Sequence, residues 1–186
     1  MAATASNMMP LGTVAPDFTL LDTISGEKLS LSSLQGNKGT VVMFICNHCP
    51  YVIHIKDQLI DIAKLYAEQG ISIIAISAND IENYPQDAPD KMQALMAEWR
   101  SPFAAYCYDE TQEVAKAYLA ACTPDIYLFD KGLTCVYRGR LDASTPKNDI
   151  PLTGEDLRQA LDALLMGKPV IEEQIPSIGC NIKWKP

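Results

Sequence analysis

Two cysteines, Cys46 and Cys49, stand three positions apart with His48 between them and Pro50 directly after the second. An apolar run ends abruptly at Cys46, and beyond Pro50 apolar residues recur at Val52, Ile55, Leu59, Ile62, Ala63 and Tyr66. That pattern predicts a buried strand feeding a tight turn, with a helix beginning at Cys49. A thiol at a helix N-terminus faces unpaired N–H groups and the positive end of the helix dipole, and both favour thiolate. A neighbouring imidazole acts in the same direction. Redox chemistry at sulfur is the first expectation, with Cys49 as nucleophile, His48 tuning its pKa and Cys46 a candidate partner. His54 falls off this face of the helix and reads as structural.

Composition narrows the alternatives. The chain has 186 residues, which suits one domain over residues 1–186. A chain of that length buries roughly 70% of its unfolded surface, so its core needs no covalent staples. A net charge of −8 excludes nucleic acid and an anionic membrane as the main partners. Neither a leader-like N-terminal segment nor an apolar run of membrane-spanning length is present, so the cytoplasm is expected. In a reducing compartment six cysteines read as free, catalytic or metal-binding rather than as a disulfide framework. Cys46 and Cys49 have half of a zinc spacing, but no second pair completes it, so no metal is expected. No cofactor is implied.

The elements that must position these thiols follow from periodicity. Residues 1–13 read as a loose N-terminal arm. Residues 15–20 and 27–31 are short strands about a turn, and 32–39 is a polar connection. Residues 41–45 are apolar throughout, as in a strand covered on both faces. With the helix after Cys49 and a strand at 71–76 they form a βαβ unit, hence a parallel pair. Residues 78–90 are a polar excursion, followed by a short helix capped by Asp90, a strand at 103–107 and a helix over 111–121. Thr123-Pro124 opens a strand at 126–129 that pairs back with 133–137 as a hairpin. Thr153 and Asp156 suggest a capping box for a closing helix, and residues 168–186 form a surface tail carrying Cys180. Cys107 and Cys135 lie in strand-like runs and read as core. Arg140 and Asp142 border the same region without an assigned role.

A cysteine at a strand-to-helix turn, Thr-Pro before a hairpin and a closing helix together resemble the thioredoxin fold. Ala15-Pro-Asp-Phe-Thr-Leu and Ser30-Leu-Ser-Ser-Leu-Gln-Gly resemble the N-terminal β-hairpin extension of the peroxiredoxin, AhpC/TSA branch. Cys-Asn-His-Cys-Pro-Tyr-Val, Asn79-Asp-Ile-Glu-Asn-Tyr-Pro, Cys122-Thr-Pro-Asp and Gly179-Cys-Asn-Ile-Lys-Trp-Lys are similar to a peroxiredoxin-like (redoxin) group within it. The resemblance covers about residues 12–185. It implies an α/β protein with a central mixed sheet flanked by helices. Aligning Phe44 with the thioredoxin strand Phe, without gaps, places Cys49 on the nucleophilic cysteine. A gapped alignment would choose Cys46, but Pro50 would then lie deeper in the helix, where it costs a hydrogen bond.

The same resemblance implies a cis Thr123–Pro124 bond, with the Thr123 backbone free to pair with an extended substrate beside Cys49. It brings Cys122 near the site, while Cys180 could reach it from the tail; both are candidate resolving thiols. Two family features are missing. The peroxidatic Pro-x-x-x-Thr-x-x-Cys motif, whose cysteine would fall at Val52, is absent, which counts against peroxidase chemistry. The buried acid that assists many thioredoxins falls on Met43. The expected activity is thiol–disulfide oxidoreduction on protein or small-molecule disulfides with an external thiol reductant. The alternatives are a thiol peroxidase acting on hydroperoxides and a non-enzymatic redox-sensing or binding module.

Overall fold

The computed structural model describes residues 3–186. Its strands are β1 (Ala3–Ala5), β2 (Thr19–Asp22), β3 (Lys28–Ser30), β4 (Gly39–Phe44), β5 (Ile71–Ser77), β6 (Ala105–Tyr108), β7 (Cys122–Thr123), β8 (Asp125–Asp130), β9 (Cys135–Gly139) and β10 (Ile178–Asn181). The helices are α1 (Leu31–Leu34), α2 (Pro50–Ala67), α3 (Pro89–Trp99), α4 (Glu113–Ala117) and α5 (Glu155–Leu165), with a 3-10 turn at Pro85–Asp87. None is long and apolar enough to cross a membrane.

A mixed sheet in the order β3-β2-β6-β5-β4-β8-β9 forms the centre. β4 pairs parallel with β5 and antiparallel with β8, so it lies inside the sheet. Its side chains alternate. Val41 and Met43 join the apolar layer that includes α2, α3 and α5, whereas Val42 and Phe44 join the opposite layer with Tyr118 and Tyr127. Burial on both faces is the reason the strand reads as continuously apolar. The stripe predicted for α2 is the buried one: Val52, Ile55, Leu59, Ile62, Ala63 and Tyr66 all face the core. The short connection over 45–49 puts the N-terminus of α2 beside the end of β4, where Cys46 lies.

Local caps differ from the sequence expectation. Asp90 does not cap α3; Ala88 holds the N-cap position without a side-chain cap, with Pro89 at the first helical position, and Asp90 lies in the first turn. The Thr153–Asp156 box does not form at α5. The Asp142 carboxylate accepts the backbone N–H groups of Thr153 and Gly154 instead, and Asp156 pairs with Arg140 at 2.6 Å. Part of the polar connection over 32–39 is helical: Ser30 and Ser33 build a reciprocal cap for α1. The helix expected over 111–121 is only α4.

The largest departure lies at the chain ends. The arm is not loose and the tail does not merely cover the surface. Ala3–Ala5 pairs antiparallel with β10, and β10 pairs antiparallel with β7, giving a second sheet in the order β1-β10-β7. Short polar strands lack a hydrophobic period, and their pairing partner is far away in sequence, so neither end announces itself as a strand.

Candidate active site

The end of β4, the start of α2 and the Thr123–Pro124 segment meet at sulfur. Cys49 is the N-cap of α2, with Pro50 at the first helical position, and no side chain caps the helix in its place. The Thr123–Pro124 peptide is cis. The Cys49 thiol donates to the Thr123 carbonyl at 3.0 Å, while the Cys46 sulfur lies 3.5 Å from the Thr123 hydroxyl. One threonine thus holds both cysteines, Cys49 through its main chain and Cys46 through its side chain. The two sulfurs face the same space, and all six cysteines are free thiols.

His48 is oriented by an acid that the sequence did not mark. Its Nδ1 donates to Asp87 Oδ2 at 2.8 Å, and its ring stacks on Tyr84 at a centroid distance of 5.9 Å. Asp87 is fully buried and also accepts the Asn47 backbone N–H and the Asn79 amide, each at 2.8 Å. Three donors compensate its desolvation. The residues 78–90 excursion therefore folds over the Cys46–Cys49 turn and delivers a carboxylate beside Cys46. The expected acid position on β4 is Met43, and a different segment provides the charge. Cys46 Sγ, His48 Nδ1 and the Asp87 carboxylate all lie within 4.8 Å of one another, a set of ligand types that suits a soft divalent metal. The short His48–Asp87 bond already accounts for two of the three groups.

These surroundings drive the two thiols apart. The Cys49 pKa is lowered to about 4, first by the neighbouring Cys46 thiol, then by Thr123 and Cys180, against the desolvation of burial. Cys46 is pushed far above the ordinary thiol range, by the neighbouring Cys49, by burial and by the Asp87 carboxylate. A negative charge is stable on Cys49 at the positive end of α2 and unstable on Cys46 beside Asp87.

Cys180 is brought to this site by β10, where it stands directly across from Thr123. Burial and the Cys49 contact raise its pKa to about 11. The Thr123 backbone is consequently not open to an extended substrate, as the family likeness had implied, because β10 occupies that edge. Cys122 is buried nearby, but its thiol donates to the Pro124 carbonyl at 3.5 Å, and burial followed by the Asp125 charge raises its pKa strongly. It is a poor nucleophile. His54 is tied to Ser144 Oγ at 2.8 Å, away from the sulfurs. Arg140 and Asp142 line a cleft of about 220 Å³ beside Pro124, together with Tyr51, Ile55 and Ile175. The Asp142 carboxylate and the Arg140 Nε are committed to the structural bonds described above. Asp87 and Asn79 are site residues to which sequence reasoning gave no role; Asn79 stood only within the quoted Asn79-Asp-Ile-Glu-Asn-Tyr-Pro stretch, and the polar composition of 78–90 was the one signal for Asp87.

No curated protein is significantly similar to the chain. Solved structures are. An uncharacterized conserved protein from Geobacillus kaustophilus is 56% identical, with a TM-score of 0.98 over 100% of this chain and 98% of that one. A hypothetical protein from Sinorhizobium meliloti is 43% identical, with a TM-score of 0.94 over 98% of both chains. The thioredoxin domain of a thiol-disulfide oxidoreductase from Bacteroides vulgatus is 22% identical, with a TM-score of 0.58 over 70% of this chain and 89% of that one, a likeness of fold. Residues 11–138, well over half of the sequence, match the AhpC/TSA family model, and with a thioredoxin-like sheet carrying its thiols at the β4–α2 turn, the chain belongs to the AhpC/TSA family.

Proposed function

We propose that this protein is a thiol–disulfide oxidoreductase in which the Cys49 thiolate attacks a disulfide. The observation that carries the reading is the Cys49 sulfur at the start of α2, held on the Thr123 carbonyl, with Cys46 on the hydroxyl of the same threonine and Cys180 paired opposite it. Attack breaks the substrate S–S bond, leaves a mixed disulfide on Cys49 and releases one thiolate. A neighbouring thiol, Cys46 or Cys180, then displaces the second substrate thiol and closes an intramolecular disulfide. An external thiol reductant restores the dithiol. Thr123 and Pro124 form the wall of the site, and His48, fixed by Asp87, shapes the field around Cys46. This chemistry suits a reducing compartment, the cytoplasm.

A thiol peroxidase is the second reading, favoured by the burial of Cys49, which is 0% exposed. A hydroperoxide is small enough to approach such a sulfur with little opening. In that reaction the distal oxygen passes to Cys49, giving a sulfenate and an alcohol or water.

The test is to assay the wild type and Cys49→Ser for reduction of hydroxyethyl disulfide and for hydroperoxide consumption, with a thioredoxin-type reductant. Disulfide reduction that drops to background in Cys49→Ser supports the oxidoreductase. Undiminished reduction in that variant sinks it. Cys49-dependent hydroperoxide turnover without disulfide reduction selects the peroxidase.

A further inference from the structure

The strand β10 occupies a revealing place. An unpaired strand edge beside a reactive thiol is where an extended peptide would add by main-chain pairing. In this molecule both ends of the chain take that edge: β10 pairs with Cys122–Thr123, and β1 pairs with β10 from outside. The fit is close. A Cβ placed on Gly179 would lie 2.0 Å from the Thr123 carbonyl oxygen and 3.2 Å from the Pro124 ring, so only glycine can stand there. The residue after it is Cys180, opposite Thr123, whose carbonyl holds Cys49. The buried Cys180 and Cys49 side chains belong to the same packed layer, and the Cys180 neighbour helps to lower the Cys49 pKa.

The tail is also anchored beyond the site. Ile182 N–H donates to Ala121 O at 3.1 Å. Lys183 N–H donates to Asn79 Oδ1 at 2.9 Å, its carbonyl accepts from Asp80 N–H at 2.8 Å and from Gln112 Nε2 at 2.8 Å, and Lys185 N–H reaches Gln112 Oε1 at 2.9 Å. Asn79 bonds Asp87 through its other side-chain atom, so the clamp on the tail and the acid beside Cys46 share one residue.

We propose that β10 is a tethered substrate mimic that supplies Cys180 to Cys49 as its resolving thiol and, by filling the Thr123 edge, restricts the reaction to small disulfides. The proposal rests on the Cys49 oxidoreductase reading and names its partner and substrate class. In the first step the Cys49 thiolate attacks a small disulfide RSSR, giving Cys49–S–S–R and RS⁻. In the second, the Cys180 sulfur attacks the Cys49 sulfur, the S–S bond between Cys49 and the R-bearing sulfur breaks, and the Cys180 proton leaves with RSH. Two electrons have passed from the Cys49–Cys180 pair to RSSR, and a dithiol reductant of the medium returns them. Cys46, beside the Thr123 hydroxyl and next to Asp87, is a positioning residue rather than the thiol that closes the bond. Its own ionisation is opposed by the neighbouring carboxylate.

The experiment treats the wild type, Cys180→Ser, Cys180→Ala and Cys46→Ser with hydroxyethyl disulfide and maps disulfides by mass spectrometry after non-reducing digestion. Turnover of hydroxyethyl disulfide and of insulin is measured in parallel with a dithiol reductant. The expected results are a Cys49–Cys180 link in the wild type and in Cys46→Ser, and accumulated Cys49–S–S–R in both Cys180 variants. Those variants should turn over the small disulfide at least tenfold more slowly, and wild-type insulin reduction should be at least tenfold slower than that of the small disulfide. A wild-type map showing only Cys46–Cys49, or insulin reduced as fast as the small disulfide, overturns the proposal; the wild-type map needs no variant to fold. A wild-type map without a Cys49–Cys180 link, with Cys49→Ser inactive, removes this inference alone, whereas an active Cys49→Ser removes the underlying reading as well.

Discussion

At the scale of single residues, the site is a division of labour between two thiols that look equivalent in sequence. Cys49 has the helix N-terminus and the neighbours that lower its pKa; Cys46 has the carboxylate of Asp87. Cys49 and His48 were legible from local pattern, since Pro50 and the apolar stripe of α2 fix where the helix starts. Asp87 was not legible, because it reaches His48 from 39 positions away through a polar stretch with no period of its own. The lowered pKa of Cys49 makes a prediction with a definite sign. Its thiolate persists at every pH above about 4 and is lost as pH falls through that value. The stabilisation linked to it is therefore present above the unfolded-state value of ~8.5 and disappears toward the folded-state pKa. Ultraviolet thiolate absorbance should show a transition at about 4 that is missing in Cys49→Ser and moves upward in Cys46→Ala, which removes the thiol that lowers it most. A first transition at an ordinary thiol pKa in the wild type would contradict this electrostatic account.

At the scale of elements, β4, α2, β5 and the β8–β9 hairpin follow from period and turn chemistry, since burial on two faces or one stripe leaves a strong signal. Caps were misread because a capping group need not be local, as Asp142 demonstrates at α5. β8 begins with a buried acid. Asp125 has its pKa raised to about 6, chiefly by burial, and its Oδ1 has no hydrogen-bond partner among the described residues. A raised carboxyl pKa means the native state binds more protons than the unfolded chain between about 4 and 6, so this residue costs stability as pH rises through that window. Asp125→Asn keeps the acceptor for Ala121 N–H and removes the charge. It should be more stable than the wild type at pH ~8 by on the order of 2–3 kcal/mol, the difference shrinking toward zero by pH ~4. Urea unfolding at both pH values reads this directly, and a variant less stable at the higher value would show that the carboxylate is compensated after all.

At the scale of the molecule, the second sheet ties residues 3–5 and 178–181 to the threonine that holds Cys46 and Cys49. Gly179 is its narrowest point, since the atom a larger residue would strike is backbone and cannot swing aside. Gly179→Ala should destabilise by about 1–3 kcal/mol, lower the melting temperature by roughly 2–10 °C and abolish any Cys49–Cys180 link on oxidation. An unchanged melting temperature with the link intact would mean that β10 can shift at no cost, and its role as a fitted strand would fall. By itself the sequence determined the α/β class, the thiol at the helix start and the core faces of β4 and α2, because each rests on spacing within a dozen or so residues. Only the tertiary structure decided what surrounds that thiol. Asp87, Asn79, Thr123 and Cys180 come from three distant segments, joined by main-chain pairing and buried hydrogen bonds that leave no periodic trace in the chain.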